Sequence, residues 1–134
     1  MDTSKAQSEE IRLTGGEWSV LSCLWEKSPQ SVMQLVNALE KSVGWAKSTT
    51  ITTLRRMEEK GLLICTPSGR GKNYSPAVEQ ERATVSETRS FLNRVYQGSV
   101  GMMMSAMARH QELSQEEIDQ LRSILDQAEG GRRG

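Results

Sequence analysis

Three short amphipathic segments, each with its own start or stop signal, follow one another in the first half of the chain. The first begins at Thr14 and Glu17, a capping box in which side chains three residues apart satisfy each other's free backbone N–H groups. The second begins at a box of the same kind, Ser31 with Gln34. The third ends at Gly61, which suits the left-handed position after a helix. Three short helices with tight connections are typical of a helix-turn-helix domain.

Apolar spacing indicates which face of each helix is buried. The first helix should run to about Lys27 and end at Ser28-Pro29, because the residue before a proline is pushed out of the helical region. The third should run from about Lys47 to Lys60. The predicted inward residues are Trp18, Leu21, Leu24 and Trp25 on the first helix, Val32, Leu35, Val36 and Leu39 on the second, and Thr50, Leu54 and Met57 on the third.

The pattern changes to β after Gly61. Residues 62–66 are β-prone, residues 67–71 have turn chemistry, and residues 72–75 can return as a second strand. A hairpin after three helices predicts a winged helix, in which the hairpin flanks the third helix. Arg70 and Lys72 would lie at its tip, where Gly69 and Gly71 let the chain approach a DNA backbone closely.

A net charge of zero conceals an uneven distribution of charge along the chain. Residues 41–75 carry seven basic and two acidic residues, a net charge of +5, whereas residues 1–40 carry −3 and residues 76–134 carry −2. A basic segment that coincides with the third helix and the hairpin favours phosphate binding.

The third helix carries the candidate residues for base contact. Thr49, Thr52 and Arg56 are spaced i, i+3 and i+7, so they share a face away from Leu54 and Met57. Threonine can contact a phosphate, a base edge or a thymine methyl group, and arginine can pair with guanine or hold a phosphate. Four more residues complete the predicted DNA-binding set on this helix: Lys47, Ser48, Ile51 and Arg55.

Beyond Ala77 the chain again has a helical pattern, interrupted at Gly98 and restarted by a third capping box at Ser114 and Glu117. Short amphipathic helices need a partner for their apolar faces, and a second copy related by a two-fold axis supplies one, so we expect a homodimer. The predicted interface residues are Phe91, Leu92, Val95, Tyr96, Val100, Met103, Met104, Met107, Ile118, Leu121, Ile124 and Leu125.

These patterns predict a mainly α chain of two domains. The expected divisions are a disordered tail over 1–10, a winged-helix domain over 11–76, a helical dimerisation domain over 77–128 and a flexible tail over 129–134. The chain has no bilayer-length apolar run and no signal-peptide pattern, so we expect a cytoplasmic protein without membrane insertion.

Composition argues against enzyme and cofactor chemistry. There is no phosphate-binding loop, and the two cysteines and one histidine do not form a metal or nucleophile pattern, so we expect no enzyme, metal or other cofactor. Thioethers can bind Cu(I), but the methionine cluster at 102–107 is better explained by flexible packing in a dimer core. Cys23 and Cys65 are interpreted as packing thiols.

An ordered set of short strings resembles the penicillinase and methicillin-resistance repressor family, BlaI/MecI, over about residues 11–127. The strings are E17-W18 with W25, W45 with T49, T52, L54 and R56, K60-G61, G69-R70 with Y74-S75-P76, S90-F91-L92-N93-R94-V95-Y96 with G98, and L113-S114-Q115-E116-E117-I118. The resemblance implies a homodimeric repressor that binds double-stranded DNA at an inverted-repeat operator. A winged-helix adaptor that binds protein instead of DNA is the alternative, although it would not need the basic segment.

The chain departs from the family pattern at several positions. Ala46-Lys47-Ser48 replaces the usual Ser-Pro-Lys before the recognition-helix threonine, and Ile51 occupies a position that is often polar. Ile51 could meet a thymine methyl group or pack away, so the operator sequence should differ from the family's usual one.

The chain also departs from the family pattern at the bond whose cleavage releases the repressor from DNA. The resemblance implies cleavage through a membrane sensor metalloprotease pathway at an Asn-Phe bond, but the equivalent pair here is Ala106-Met107. Induction by β-lactams therefore does not carry over, and the inducing signal is left open. The Cys-x-Cys motifs of the copper-responsive branch are absent from the tail over 129–134.

Overall fold

The computed structural model describes residues 11–133, and side chains up to Gly131. Over these residues the elements follow in the order α1 (Gly15–Glu26), β1 (Gln30–Ser31), α2 (Val32–Val43), α3 (Lys47–Lys60), β2 (Leu63–Ser68), β3 (Gly71–Pro76), α4 (Gln80–Tyr96), α5 (Val100–Arg109) and α6 (Gln115–Arg133). The tail predicted over 1–10 lies outside the described residues. The mainly α fold with a small antiparallel sheet is the one expected from the sequence.

All three predicted capping boxes form. At the start of α1, the Thr14 amide donates to Glu17 Oε1 at 2.9 Å and the Glu17 amide donates to Thr14 Oγ1 at 3.1 Å. The same reciprocal bonds join Ser31 with Gln34 before α2, and Ser114 with Glu117 before α6. Each box fixes a helix start by satisfying backbone donors that lack a partner within the helix.

The helix ends also follow local chemistry. Helix α3 ends at Gly61, which has a φ of 81° and whose amide donates to the Glu58 carbonyl. A side chain with Cβ rarely adopts this conformation, which explains the glycine. Helix α4 ends before Gly98, which has a φ of 82° and whose amide donates to the Leu92 carbonyl at 2.9 Å.

Helices α1, α2 and α3 and the sheet enclose one apolar core. The predicted inward residues of α2 and α3 are buried or half-buried, and on α1 Leu21 and Leu24 are buried while Trp18 and Trp25 are half-buried. The fully buried side chains that build this core are Val20, Leu21, Leu24, Leu35, Leu39, Thr50, Leu54 and Met57.

A three-stranded antiparallel sheet in the order β1-β3-β2 completes this unit. Strands β2 and β3 form the predicted hairpin, with Cys65 opposite Tyr74 and Ser68 opposite Gly71. Strand β1 was not predicted, and its Gln30 pairs with Tyr74. Three helices followed by this hairpin make the winged helix expected from the sequence.

The described part of the chain divides into two compact units, residues 11–88 and 89–133. The first unit extends past the boundary expected at residue 76, because Trp25 Nε1 donates to the Val78 carbonyl at 2.9 Å and the Ile11 amide donates to Ser86 Oγ at 2.8 Å. These bonds hold the start of α4 against the winged helix.

The second unit contains the end of α4 with α5 and α6. The flexible tail expected from residue 129 is not observed, because α6 continues through Gly130 and Gly131 to Arg133. Gly134 lies outside the described residues. Glycine costs only about 1 kcal/mol per residue in a helix, so a helix with established backbone bonds can continue through it. Among residues 11–133, none of the helices has the length and apolar character that crossing a bilayer requires.

Candidate nucleic-acid interface

The outer face of α3 presents hydroxyl groups and a guanidinium group. Thr50, Leu54 and Met57 turn into the core, and the opposite side carries the predicted set of Thr49, Thr52 and Arg56. A groove of about 260 Å³ is lined by Ser48, Thr49, Thr52, Thr53 and Arg56. The structure therefore brings together four residues of the predicted DNA-binding set.

Thr53 also lines this groove, although it is not in the DNA-binding set predicted from the sequence. Its hydroxyl donates to the Thr49 carbonyl at 2.7 Å, one turn back along the helix. Thr53 could have been predicted from the sequence, because it follows Thr49 by four residues and residues four apart lie on the same side of a helix.

Three other predicted residues of α3, Lys47, Ile51 and Arg55, are exposed but do not line the groove. They are spaced four residues apart, so they follow one row along the helix. Helix α3 starts without a capping side chain, because its N-cap residue is Ala46. The departure from the family pattern at Ala46 therefore leaves α3 without a capping oxygen.

The hairpin tip presents the two predicted cations of the wing. Gly69 and Arg70 form the turn between β2 and β3, and Gly69 has a φ of 58°. The side chains of Arg70 and Lys72 are exposed. Lys72 Nζ lies 3.9 Å from Glu58 Oε1, so this cation is at the edge of α3.

Glu58 connects the hairpin to α3. The Tyr74 hydroxyl, which is buried with its ring, donates to Glu58 Oε1 at 3.2 Å. Burial of the phenol, together with the negative charge and the hydrogen bond of Glu58, raises the pKa of Tyr74 to about 12. Tyr74 thus stays a hydrogen-bond donor at neutral pH and holds the wing beside α3.

A buried carboxylate fixes the other end of α3. Glu17 is 5% exposed, and its Oε2 accepts a bond from Lys60 Nζ at 2.6 Å while its Oε1 accepts the bond from Thr14. Burial by itself raises the pKa of Glu17, but the bonds from Lys60 and Thr14 and the charge of Lys60 outweigh it and leave the pKa lowered. The capping role of Glu17 could be predicted from the sequence, whereas its ion pair with Lys60, 43 residues away, could not.

The predicted interface residues of the second unit fall into three groups. Phe91, Val95, Val100, Ile124 and Leu125 are exposed, with Leu125 66% exposed. Leu92 is already buried within the single chain, 9% exposed. The half-buried residues are Tyr96, Met103, Met104, Met107, Ile118 and Leu121.

The cysteines lie in the first unit and carry free thiols. Cys23 and Cys65 are both half-buried and pack against the core. Burial, with the charge of Glu26, raises the pKa of the Cys23 thiol and disfavours the reactive thiolate. In the part of the chain that the structure describes, no three His, Cys, Asp or Glu side chains are grouped to hold a metal ion.

Comparison with known proteins identifies the family. The sequence profile of the penicillinase repressor family matches residues 13–127, which is most of the chain. The chain belongs to the penicillinase repressor family. The resemblance recognised from short motifs is thereby confirmed, and the protein is a DNA-binding transcriptional repressor of this class.

Two curated relatives of the penicillinase repressor family match nearly end to end. The penicillinase repressor of Bacillus licheniformis is 29% identical over 116 residues, which cover 87% of this chain and 91% of that protein. The methicillin resistance regulatory protein MecI of Staphylococcus aureus (strain N315) is 25% identical over 119 residues, which cover 89% of this chain and 97% of that protein. The match therefore includes both units of the chain.

A solved structure supports the fold of the first unit. The solution structure of the DNA binding domain of the repressor BlaI superposes with a TM-score of 0.50 at 24% identity, covering 55% of this chain and 90% of that domain. The likeness confirms the winged-helix fold.

Proposed function

We propose that this penicillinase-family repressor binds a two-fold operator as a homodimer, with α3 of each protomer in the major groove. The winged-helix domain predicted over 11–76 would bind the double-stranded DNA, and the helical domain predicted over 77–128 would join the protomers. The observation that carries the proposal is the groove on α3, where hydroxyl groups and the Arg56 guanidinium face away from the core.

Each side chain of this face has a role that suits its chemistry. Arg56 can donate two parallel hydrogen bonds to guanine, and Thr49 and Thr52 can contact base edges, thymine methyl groups or phosphates. Ser48, Lys47 and Arg55 extend the polar surface, and Ile51 adds an apolar contact. The basic residues lie in the segment of net charge +5.

The wing would contact the DNA backbone beside the recognition helix. Arg70 and Lys72 are exposed at the hairpin tip, and the Tyr74–Glu58 hydrogen bond fixes the hairpin to α3. A cation held in this position neutralises a phosphate and adds affinity without sequence preference.

The exposed apolar residues of the second unit support the homodimer. Ile124 and Leu125 on α6 are 57% and 66% exposed, and Val95 and Val100 are 47% and 57% exposed. A second copy of the same helices would remove this surface from water, and the resulting two-fold axis would match an inverted-repeat operator.

An inducing signal would release the repressor. The bond equivalent to the family's cleavage site, Ala106–Met107, lies within α5 and is half-buried. A protease of a membrane sensor pathway could cleave there only after local unfolding of the helix. Release by such a pathway therefore requires a step that opens α5.

The test of DNA binding starts with selection of duplexes from a random library by the wild-type protein. Arg56→Ala should lose binding to the selected duplex in a gel shift, because the guanine contact is removed. Arg109→Ala, which changes an exposed arginine of the second unit, is the matched control and should bind as wild type. Failure to enrich any sequence, or full affinity of Arg56→Ala, would contradict the proposal and favour a protein-binding adaptor.

The test of dimerisation is sedimentation equilibrium. Leu125→Glu should convert the dimer to monomer, because it places a charge in the proposed apolar interface. Gln127→Glu adds the same charge to an exposed position of the same helix and should leave the dimer intact. A dimer that survives Leu125→Glu unchanged would refute this interface.

A further inference from the structure

Ile51 is the exposed apolar residue of a helix whose other exposed residues are polar. It is 40% exposed and is not among the buried residues of the apolar core. The remaining exposed residues of α3 are Lys47, Ser48, Thr49, Arg55, Arg56, Glu59 and Lys60. One of the two roles that the sequence left open for Ile51, packing away in the core, is therefore excluded.

The neighbours of Ile51 place it within the proposed DNA-contacting surface. Lys47 precedes it by one turn and Arg55 follows it by one turn, and both are exposed. Cations on either side of Ile51 would bring this row of α3 toward the phosphates that border the major groove. Ser48, which lines the groove on α3, lies three residues before Ile51, so Ile51 borders this groove on the helix surface.

We propose that Ile51 determines operator sequence by packing against the 5-methyl group of a thymine. The inference rests on the proposed function, in which α3 enters the major groove. Among the groups that base pairs present there, the thymine methyl group is the apolar one. Isoleucine can neither donate nor accept a hydrogen bond, so any other base edge beneath it would lose water without gaining a partner.

The size of the effect follows from the burial of one methyl group. Removing it from a packed contact should weaken binding about fourfold for each half-site. The effect is specific to one position in each half-site, because one isoleucine side chain covers about one base.

The experiment uses the full-length protein and the duplex selected by the wild type. Each thymine is replaced in turn by deoxyuridine, which lacks the methyl group and keeps the hydrogen-bonding edge. One position in each half-site should weaken wild-type binding about fourfold, measured by fluorescence anisotropy at fixed salt. Ile51→Ala should bind the thymine and deoxyuridine duplexes equally at that position.

The control is Ile64→Ala, which shortens an isoleucine of β2 that is 51% exposed and should keep the preference for thymine. Equal wild-type affinity for all deoxyuridine duplexes, a selected site without thymine, or an unchanged preference in Ile51→Ala overturns the role of Ile51 while leaving DNA binding in place. Failure to enrich any sequence overturns the proposed function, and the role of Ile51 with it.

Discussion

Lys60 Nζ lies 2.6 Å from Glu17 Oε2, so the last residue of α3 is bonded to the first turn of α1. The two residues are 43 positions apart in the sequence. Glu17 also receives the capping bond from Thr14. One buried carboxylate therefore sets both the start of α1 and the position of the end of α3.

Glu17→Gln should lower the free energy of unfolding by about 1 kcal/mol at pH 7, because the amide keeps the cap but loses the charge-assisted bond from Lys60. The folded-state pKa of Glu17 is lowered, so its stabilisation is present above the unfolded-state pKa of about 4.3 and is lost as pH falls through the folded-state value. Urea unfolding followed by circular dichroism should show the difference between wild type and variant shrinking below about pH 4.

The control for Glu17→Gln is Lys72→Met. Lys72 and Glu58 are 3.9 Å apart with 56% and 36% of their side chains exposed, so this ion pair should contribute less than about 0.5 kcal/mol. A stability difference for Glu17→Gln that does not change with pH would contradict the assigned ion pair.

Tyr74→Phe should lower the free energy of unfolding by about 1 kcal/mol, because it removes the hydrogen bond to Glu58 that joins β3 to α3. The pKa of Tyr74 is raised to about 12, so the protonated phenol stabilises the fold fully below the unfolded-state pKa of about 10, and this stabilisation is lost as pH rises toward 12. Urea unfolding of wild type and Tyr74→Phe at pH 7 and pH 10.5 would give the difference in their free energies of unfolding, which should be smaller at pH 10.5. An equal or larger difference at pH 10.5 would be evidence against the hydrogen bond to Glu58.

Local signals in the sequence predicted the starts of α1 and α2 and the end of α3. The pairs Thr14 with Glu17 and Ser31 with Gln34 act over three residues, and Gly61 acts on its own backbone, so each can be recognised without knowledge of the fold. The inward faces of α2 and α3 follow from apolar spacing in the same way.

Contacts between distant residues could not be predicted in this way. The Glu17–Lys60 and Tyr74–Glu58 bonds join different elements, and β1 has two residues, too few for a periodic pattern. Helix α6 also continues to Arg133, where the sequence led us to expect a flexible tail over 129–134.

Thr50→Val should raise the free energy of unfolding by about 1 kcal/mol. The Thr50 hydroxyl is buried without a hydrogen-bond partner, and valine has the same shape without the polar group. Thr53→Val is the matched control on the same helix, because the Thr53 hydroxyl has a partner in the Thr49 carbonyl and its removal should not stabilise. Thermal unfolding of both variants would distinguish the two cases, and a loss of stability in Thr50→Val would show that its hydroxyl has a partner.

Ala46→Thr should stabilise the chain by about 1 kcal/mol. Ala46 has the extended backbone of an N-cap residue, with φ −70° and ψ 156°, but has no side-chain oxygen to accept a bond from the first turn of α3. Ala46→Val matches the threonine in shape without the hydroxyl, so it should not stabilise. Chemical denaturation of Ala46→Thr and Ala46→Val would measure the contribution of the capping hydroxyl to the free energy of unfolding. Equal stability of the two variants would argue against a missing cap at this position.

Lys72→Ala should reduce the salt dependence of DNA binding. If each wing of the proposed dimer contributes one phosphate contact through Lys72, the slope of log affinity against log salt should fall in magnitude by about 2. Lys27→Ala changes an exposed lysine outside the basic segment and should leave the slope unchanged. Anisotropy titrations of the selected duplex over a series of salt concentrations would give both slopes. An unchanged slope in Lys72→Ala would place the wing lysine away from the DNA backbone, because a lost phosphate contact must reduce counterion release.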